Sequence, residues 1–211
     1  MRVPVGVAIS GSGSNLQALL DAFAADDAPA QICVVVSNRA DAFGLERARR
    51  AGVPAVVLSH KGRERAAFDA DLAQIFVDHG AQWVCLAGFL RVVGPGLLDR
   101  FPGRVLNIHP ALLPAFPGLH AQAQALEAGA RVAGATVHFV DGGVDTGPIV
   151  AQGAVPVLPD DDLAALQGRV LAMEHRLYPL VVRLAAEGRL ELDGRRVRVA
   201  LRPGESLTLF G

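Results

Sequence analysis

Strand-like apolar runs separated by helix-like stretches fill the first hundred residues and leave the chain very few folds. Val3–Ser10 predicts a strand and Leu16–Ala25 a helix. Gln31–Ser37 predicts a second strand, followed by a helix near Phe43–Ala51. Ala55–Leu58 reads as a short strand, Glu64–His79 as a helix and Trp83–Ala87 as a further strand. These strands are near-continuously apolar, the pattern of strands covered on both faces. Strand–helix alternation at this spacing implies parallel pairing through right-handed crossovers. The class is α/β, a Rossmann-like, mostly parallel sheet with helices on both faces.

The pattern changes in the second half. Val105–His109 predicts a strand that runs into a proline-rich loop, Pro110 to Gly118, and then a helix over Ala121–Ala128. Arg131–Val140 and Ile149–Val157 read as strands joined by Asp141 to Pro148, which makes the sheet mixed here. Asp160-Asp161-Asp162 supplies an N-cap and favourable charge for a long helix reaching about Glu187. Leu190–Leu192 and Arg195–Leu201 flank Asp193-Gly194 as a closing hairpin. No repeat, charge block or long linker intervenes, so residues 1–211 are expected to be one domain whose halves share a sheet. The halves are residues 1–104 and 105–211.

A chain of 211 residues with 51% hydrophobic content has ample material for a core. Its net charge of -1 supplies no basic field for nucleic acid. The start, Met1-Arg2-Val3-Pro4, enters a strand at once and suggests no signal peptide. No apolar stretch approaches the roughly 20 residues that span a bilayer. Cys33 and Cys85 lie in apolar runs and are expected to be buried, reduced thiols, in keeping with a cytoplasmic protein.

Ser10-Gly11-Ser12-Gly13-Ser14-Asn15 lies where the first strand turns into the first helix. Gly11 and Gly13 permit positive φ and close backbone approach to a ligand. A turn of this kind presents helix N-terminal N–H groups, a natural seat for phosphate. A dinucleotide fits poorly: the third glycine of its fingerprint would fall at Leu16, and Ser37-Asn38-Arg39 replaces its acidic ribose partner. A monophosphate fits better.

Asn107 and His109 share one face of a strand, at the carboxyl end where open α/β sheets place ligands. Thr136 and His138 repeat the spacing, and Asp145 sits in a glycine-rich loop. An amide donor, an imidazole and a carboxylate suit acyl transfer: Asn107 stabilises an oxyanion, His109 moves a proton and Asp145 holds the imidazolium. No nucleophile elbow and no metal-ligand spacing accompanies them, so direct transfer without a metal is expected. His60 and His79 read as solvent-facing element ends, and His175 as an exposed or snorkelling helix residue.

Several stretches resemble the phosphoribosylglycinamide formyltransferase family, the folate-dependent enzymes of purine synthesis. They are Ile9 to Gln17, Ser37 to Ala48, Leu86-Ala87-Gly88-Phe89-Leu90-Arg91, Leu106 to Pro110 with Leu112-Leu113-Pro114, Val137 to Val140, and Val144 to Pro148. Asn-x-His-Pro with Leu-Leu-Pro is common to several formyltetrahydrofolate enzymes, whereas the glycine loop is more specific to a glycinamide ribonucleotide site. The resemblance covers nearly the whole chain and implies the formyltransferase fold. It also implies formyl transfer from 10-formyltetrahydrofolate, as co-substrate, to the glycinamide amine through a tetrahedral intermediate.

Carried over residue by residue, it makes Asn107, His109 and Asp145 catalytic. It implies a ribonucleotide site of Gly11, Ser12, Gly13, Ser14, Asn15, Leu16, Gln17, Gly88 and Glu174. It draws the folate site from Arg65 (or Arg63), Leu90, Arg91, Val92, Val93, Asn107, His138, Val140, Asp141, Gly142, Gly143, Val144 and Asp145. The partners it implies are these small molecules, neither nucleic acid nor membrane, with the chain a monomer or homodimer. The chain departs from the family at Ala115, often a lysine there, in the glycine-rich Asp141-Gly142-Gly143, and in the hairpin after Leu190. Methionyl-tRNA formyltransferase needs a tRNA-binding extension not seen here, and formyltetrahydrofolate hydrolase usually carries a regulatory domain. A non-catalytic nucleotide-binding protein could dispense with the trio.

Overall fold

Val3–Ile9 forms β1, and its last five residues are buried, as a strand covered on both faces must be. A computed structural model describes all 211 residues, which divide into two units, Met1–Asn107 and Ile108–Gly211. In the first unit β1 is followed by α1 (Ser14–Ala22), β2 (Ala30–Ser37), α2 (Phe43–Arg50), β3 (Ala55–Val57), α3 (Arg65–Asp78), β4 (Trp83–Leu86) and α4 (Pro95–Leu98). β5 (Val105–His109) crosses the division. The strands of this unit lie in the order β3-β2-β1-β4-β5, every pair parallel.

Helix α3 shows how the pattern is read: Phe68, Leu72 and Phe76, spaced by one turn, are all fully buried. Each such side chain contributes about 1.5–3 kcal/mol relative to exposure. The strand order reverses between β1 and β4, with β2 and β3 on one side and β5 on the other. The carboxyl ends there form the topological switch point at which such sheets bind ligands.

In the second unit α5 (Ala121–Glu127) precedes the antiparallel pair β6 (Val132–Phe139) and β7 (Ile149–Pro156). Helix α6 (Leu163–Ala186) packs on both strands. It is capped as expected: the Asp162 carboxylate accepts the Ala165 N–H at 2.7 Å. Strands β8 (Leu190–Asp193) and β9 (Arg196–Val199) form the terminal hairpin. β10 (Thr208–Phe210) then pairs parallel with β7.

The differences from expectation have local causes. Helix α1 begins two residues early because Gly13, at φ 69°, turns the chain directly into Ser14. It ends at Ala22, not Ala25, with the Phe23 N–H on the Leu19 carbonyl. Strand β3 stops at Val57, one residue short. Helix α4 and strand β10 were not expected: one is four residues opened by a proline, the other three residues ordered by an edge strand distant in sequence. Both cysteines are free, but Cys33 is only half-buried. Burial pushes its thiol up to about 11, so it stays protonated and unreactive.

Two tests of the packing follow. A Cβ at Gly44 would lie 2.4 Å from the Ile9 side chain and 3.1 Å from the Gly13 backbone. Gly44→Ala should therefore destabilise the protein by about 1–3 kcal/mol in denaturant unfolding. In the tail, the Arg189 guanidinium pairs with Glu205, whose N–H partner is Arg202, and holds this carboxyl down at about 2 despite partial desolvation. A depressed carboxylate stabilises above its unfolded value and ceases to do so as pH falls through its folded one. Hydrogen-exchange protection factors of residues 200–211, taken relative to the intrinsic rate at each pH, should fall selectively as pH drops from about 4.5 towards 2.

Candidate active site

Strand β1 delivers the chain to the switch point with Ser10 buried and Gly11 and Ser12 exposed. Gly13 adopts the left-handed conformation, and a Cβ on it would meet the Gly44 Cα at 2.6 Å, so glycine is required on both counts. Helix α2 braces the loop: the Gly44 N–H donates to the Gly11 carbonyl at 3.1 Å and Arg47 Nε to the Ser12 carbonyl at 2.9 Å. Arg47 also reaches Gln17 Oε1 at 3.1 Å. Helix α1 opens directly from this loop at Ser14, and a helix N-terminus is an arrangement that favours an anion. Leu16 itself is fully buried in the core, so only its backbone is available to a ligand.

The same carboxyl ends bring in the segment after β4. The Ser10 N–H donates to the Gly88 carbonyl at 3.1 Å, and the Leu90 N–H to Ser10 Oγ at 2.9 Å. Ser10 Oγ donates in turn to Asn38 Oδ1 at 2.7 Å. Asn38 Nδ2 lies 3.2 Å from His60 Nδ1, so His60 is half-buried and hydrogen-bonded at the end of β3 rather than solvent-facing. His79 is likewise half-buried, its Nδ1 2.8 Å from the Ile75 carbonyl. Leu90 and Val92 expose apolar side chains while Val93 is buried, and the Arg91 guanidinium stacks 4.7 Å above Phe68. Arg65 donates to the Val93 carbonyl at 2.9 Å, whereas Arg63 pairs with Asp71. Burial pushes the neighbouring Asp69 carboxyl above its usual value, although the Gly94 N–H and the charges of Arg65 and Arg91 oppose this.

In the second unit His109 and Asp145 meet. His109 Nδ1 lies 3.2 Å from Asp145 Oδ2, and the ring is only 5% exposed. His138 Nε2 approaches the other carboxylate oxygen at 3.6 Å, and its Nδ1 lies 2.8 Å from the Phe139 carbonyl. His109 Nε2 lies 2.8 Å from the Phe116 carbonyl, so both its ring nitrogens face oxygen acceptors. The Gly118 N–H donates to Asp145 Oδ2 at 2.8 Å. Burial pushes the Asp145 carboxyl up, but the His138 hydrogen bond, the Gly118 N–H and the two imidazoles outweigh it and hold it below its usual value.

Asp145 sits at φ 54°, a left-handed conformation rare for a non-glycine residue. Its loop is cross-braced: Asp141 Oδ1 accepts the Gly143 N–H at 3.0 Å and the Thr146 hydroxyl at 2.6 Å, while Arg195 donates to the Thr146 carbonyl at 3.0 Å. Gly142, Gly143 and Val144 are exposed, and Val140 and Asp141 half-buried. Glu174 is buried on α6, and His175 beside it is half-buried. Asn107 stands two residues before His109 on β5, half-buried and on the same face of that strand. The Leu113–Pro114 peptide is cis. Phe116 and Gly118 meet the pair through backbone atoms alone and so leave no side-chain signature in the sequence.

An imidazole against a carboxylate, with an amide two residues upstream, moves a proton at a carbonyl and needs no covalent nucleophile. Residues 3–182 match the formyl transferase family model. The chain is 43% identical to the phosphoribosylglycinamide formyltransferase of Escherichia coli (strain K12), over 90% of this chain and 94% of that protein. It is 48% identical to the trifunctional purine biosynthetic protein adenosine-3 of Drosophila pseudoobscura pseudoobscura, of whose length it spans only 14%. Glycinamide ribonucleotide transformylase 1 from Symbiobacterium toebii superposes with a TM-score of 0.92 at 57% identity, covering 94% of each chain. The chain belongs to the formyl transferase family, among its phosphoribosylglycinamide formyltransferases.

Proposed function

We propose that this protein transfers the formyl group of 10-formyltetrahydrofolate to the glycyl amine of N1-(5-phosphoribosyl)glycinamide. The products are N2-formyl-N1-(5-phosphoribosyl)glycinamide and tetrahydrofolate, a cytoplasmic step of purine synthesis. The carrying observation is buried His109 against half-buried Asp145, 3.2 Å apart, with His138 on the second carboxylate oxygen.

Each set of residues has a part in this reading. The glycine loop from Gly11 to Asn15, with Leu16 and Gln17, takes the phosphate through backbone N–H groups and short polar side chains. Gly88 lines the same site, and Glu174 accepts hydrogen bonds from the ribose hydroxyls. The folate donates the formyl group, and the exposed apolar side chains of Leu90, Val92 and Val144 suit its flat ring. This reading also assigns Arg91, Val93, His138, Val140 and Asp141 to Gly143 to the folate, and Arg65 to its carboxylates.

The unprotonated amine adds to the formyl carbon, the carbonyl π electrons moving to oxygen to give a tetrahedral intermediate. The carbon's bond to the folate nitrogen then breaks as the carbonyl re-forms. Asn107 donates to the formyl oxygen while it carries negative charge. His109 takes part in moving the amine proton to the departing nitrogen, and Asp145 stabilises positive charge on the ring. Side-by-side binding supplies up to about 7–11 kcal/mol by proximity, and one oxyanion donor about 3 kcal/mol.

Asp145→Asn should retain the wild-type fold by circular dichroism yet lower kcat by about 10²–10⁴-fold. The absorbance change of folate deformylation reports it, and near-normal turnover would remove Asp145 from the mechanism. The same assay without glycinamide ribonucleotide should be silent; deformylation by water alone would identify a hydrolase instead. Ser12→Asp places a carboxylate against the phosphate and should raise KM for the ribonucleotide about tenfold or more, equivalent to roughly 1.4 kcal/mol or above. An unchanged KM would put the phosphate elsewhere.

A further inference from the structure

The loop after β5 supplies both backbone groups that meet the reacting pair, the Phe116 carbonyl on His109 and the Gly118 N–H on Asp145. Yet Pro114, Ala115, Pro117 and Leu119 are exposed, so packing does little to hold the outer part of this loop. Its base, Ala111 to Leu113, with Ala111 and Leu113 buried, is held by polar contacts instead. Thr136 on β6, fully buried, donates its hydroxyl to the Ala111 carbonyl at 2.7 Å and accepts the Leu113 N–H at 3.1 Å. Gln152 on β7 donates from Nε2 to Thr136 Oγ1 at 3.0 Å and to the Leu113 carbonyl at 2.9 Å.

A threonine hydroxyl offers one donor and two acceptor sites, and a glutamine amide two N–H donors. Every one of these is used, and each contact ends on the loop base or on the partner side chain. We propose that Thr136 and Gln152 are positioning residues for formyl transfer. Through the loop base they set where the Phe116 carbonyl and the Gly118 N–H stand, and thereby the orientation of His109 against Asp145. The proposal rests on the function assigned above. Neither side chain touches the reacting atoms; the effect passes through three backbone groups of Ala111 and Leu113. A buried network of this kind transmits position because a half-satisfied version of it is costly.

The test compares Thr136→Val, which keeps shape and removes the hydroxyl, with Thr136→Ser, which keeps the hydroxyl. Val181→Ala, a core deletion on α6, is the stability control. For each, kcat, KM for both substrates and the thermal midpoint are measured. Thr136→Val should lower kcat at least tenfold while KM for the ribonucleotide stays within about twofold, and Thr136→Ser should restore kcat to within about threefold. Val181→Ala should lower the thermal midpoint and keep kcat. A Thr136→Val kcat within twofold of wild type overturns the proposal, as does failure of Ser to restore it or an equal kcat loss in Val181→Ala. Should Thr136→Val not fold, Gln152→Met, at a half-buried position, carries the same kcat criterion. Wild-type protein that transfers no formyl group to glycinamide ribonucleotide removes the functional reading itself, an outcome separate from all of these.

Discussion

A carboxylate taken half out of water must be held against its own desolvation, and the site depends on how Asp145 meets that demand. Burial opposes its ionisation, while two imidazoles and the Gly118 N–H more than compensate, so it stays charged. Its backbone is strained at φ 54° and persists because Asp141, Thr146 and Arg195 fix the loop around it. The same carboxylate holds His109 in place, with Nδ1 of the ring 3.2 Å from it.

The glycine loop solves a different problem with a similar economy. In the proposed function it presents backbone N–H groups to a phosphate, which requires that the loop not collapse onto them. Side-chain bulk is excluded from within, where Gly13 and Gly44 approach too closely for any Cβ, and Arg47 ties down the Ser12 carbonyl from α2. Rigidity therefore comes from the second helix, and the exposed Gly11 and Ser12 are left to meet a ligand.

Much of this was legible from residue order. The Asp162 cap, the hairpin around Asp193-Gly194 and β5 itself follow from local chemistry, since caps, tight turns and apolar runs are fixed by residues a few positions apart. His60 differs from expectation for the complementary reason. Its position after a short strand looks solvent-facing, but parallel pairing of β2 with β3 brings Asn38 against its ring.

The sequence by itself determined the α/β alternation, the glycine turn at the end of β1, and the pairing of Asn107 and His109 on one strand face. Each is a matter of periodicity or of residues that permit unusual backbone angles. The tertiary structure alone decided that Asp145 would stand between His109 and His138, that backbone atoms of Phe116 and Gly118 would complete the pair, and that β10 would cover the edge of β7. Those contacts join positions far apart along the chain, often through peptide groups that every residue carries, so nothing in the order of side chains marks them before the loops close.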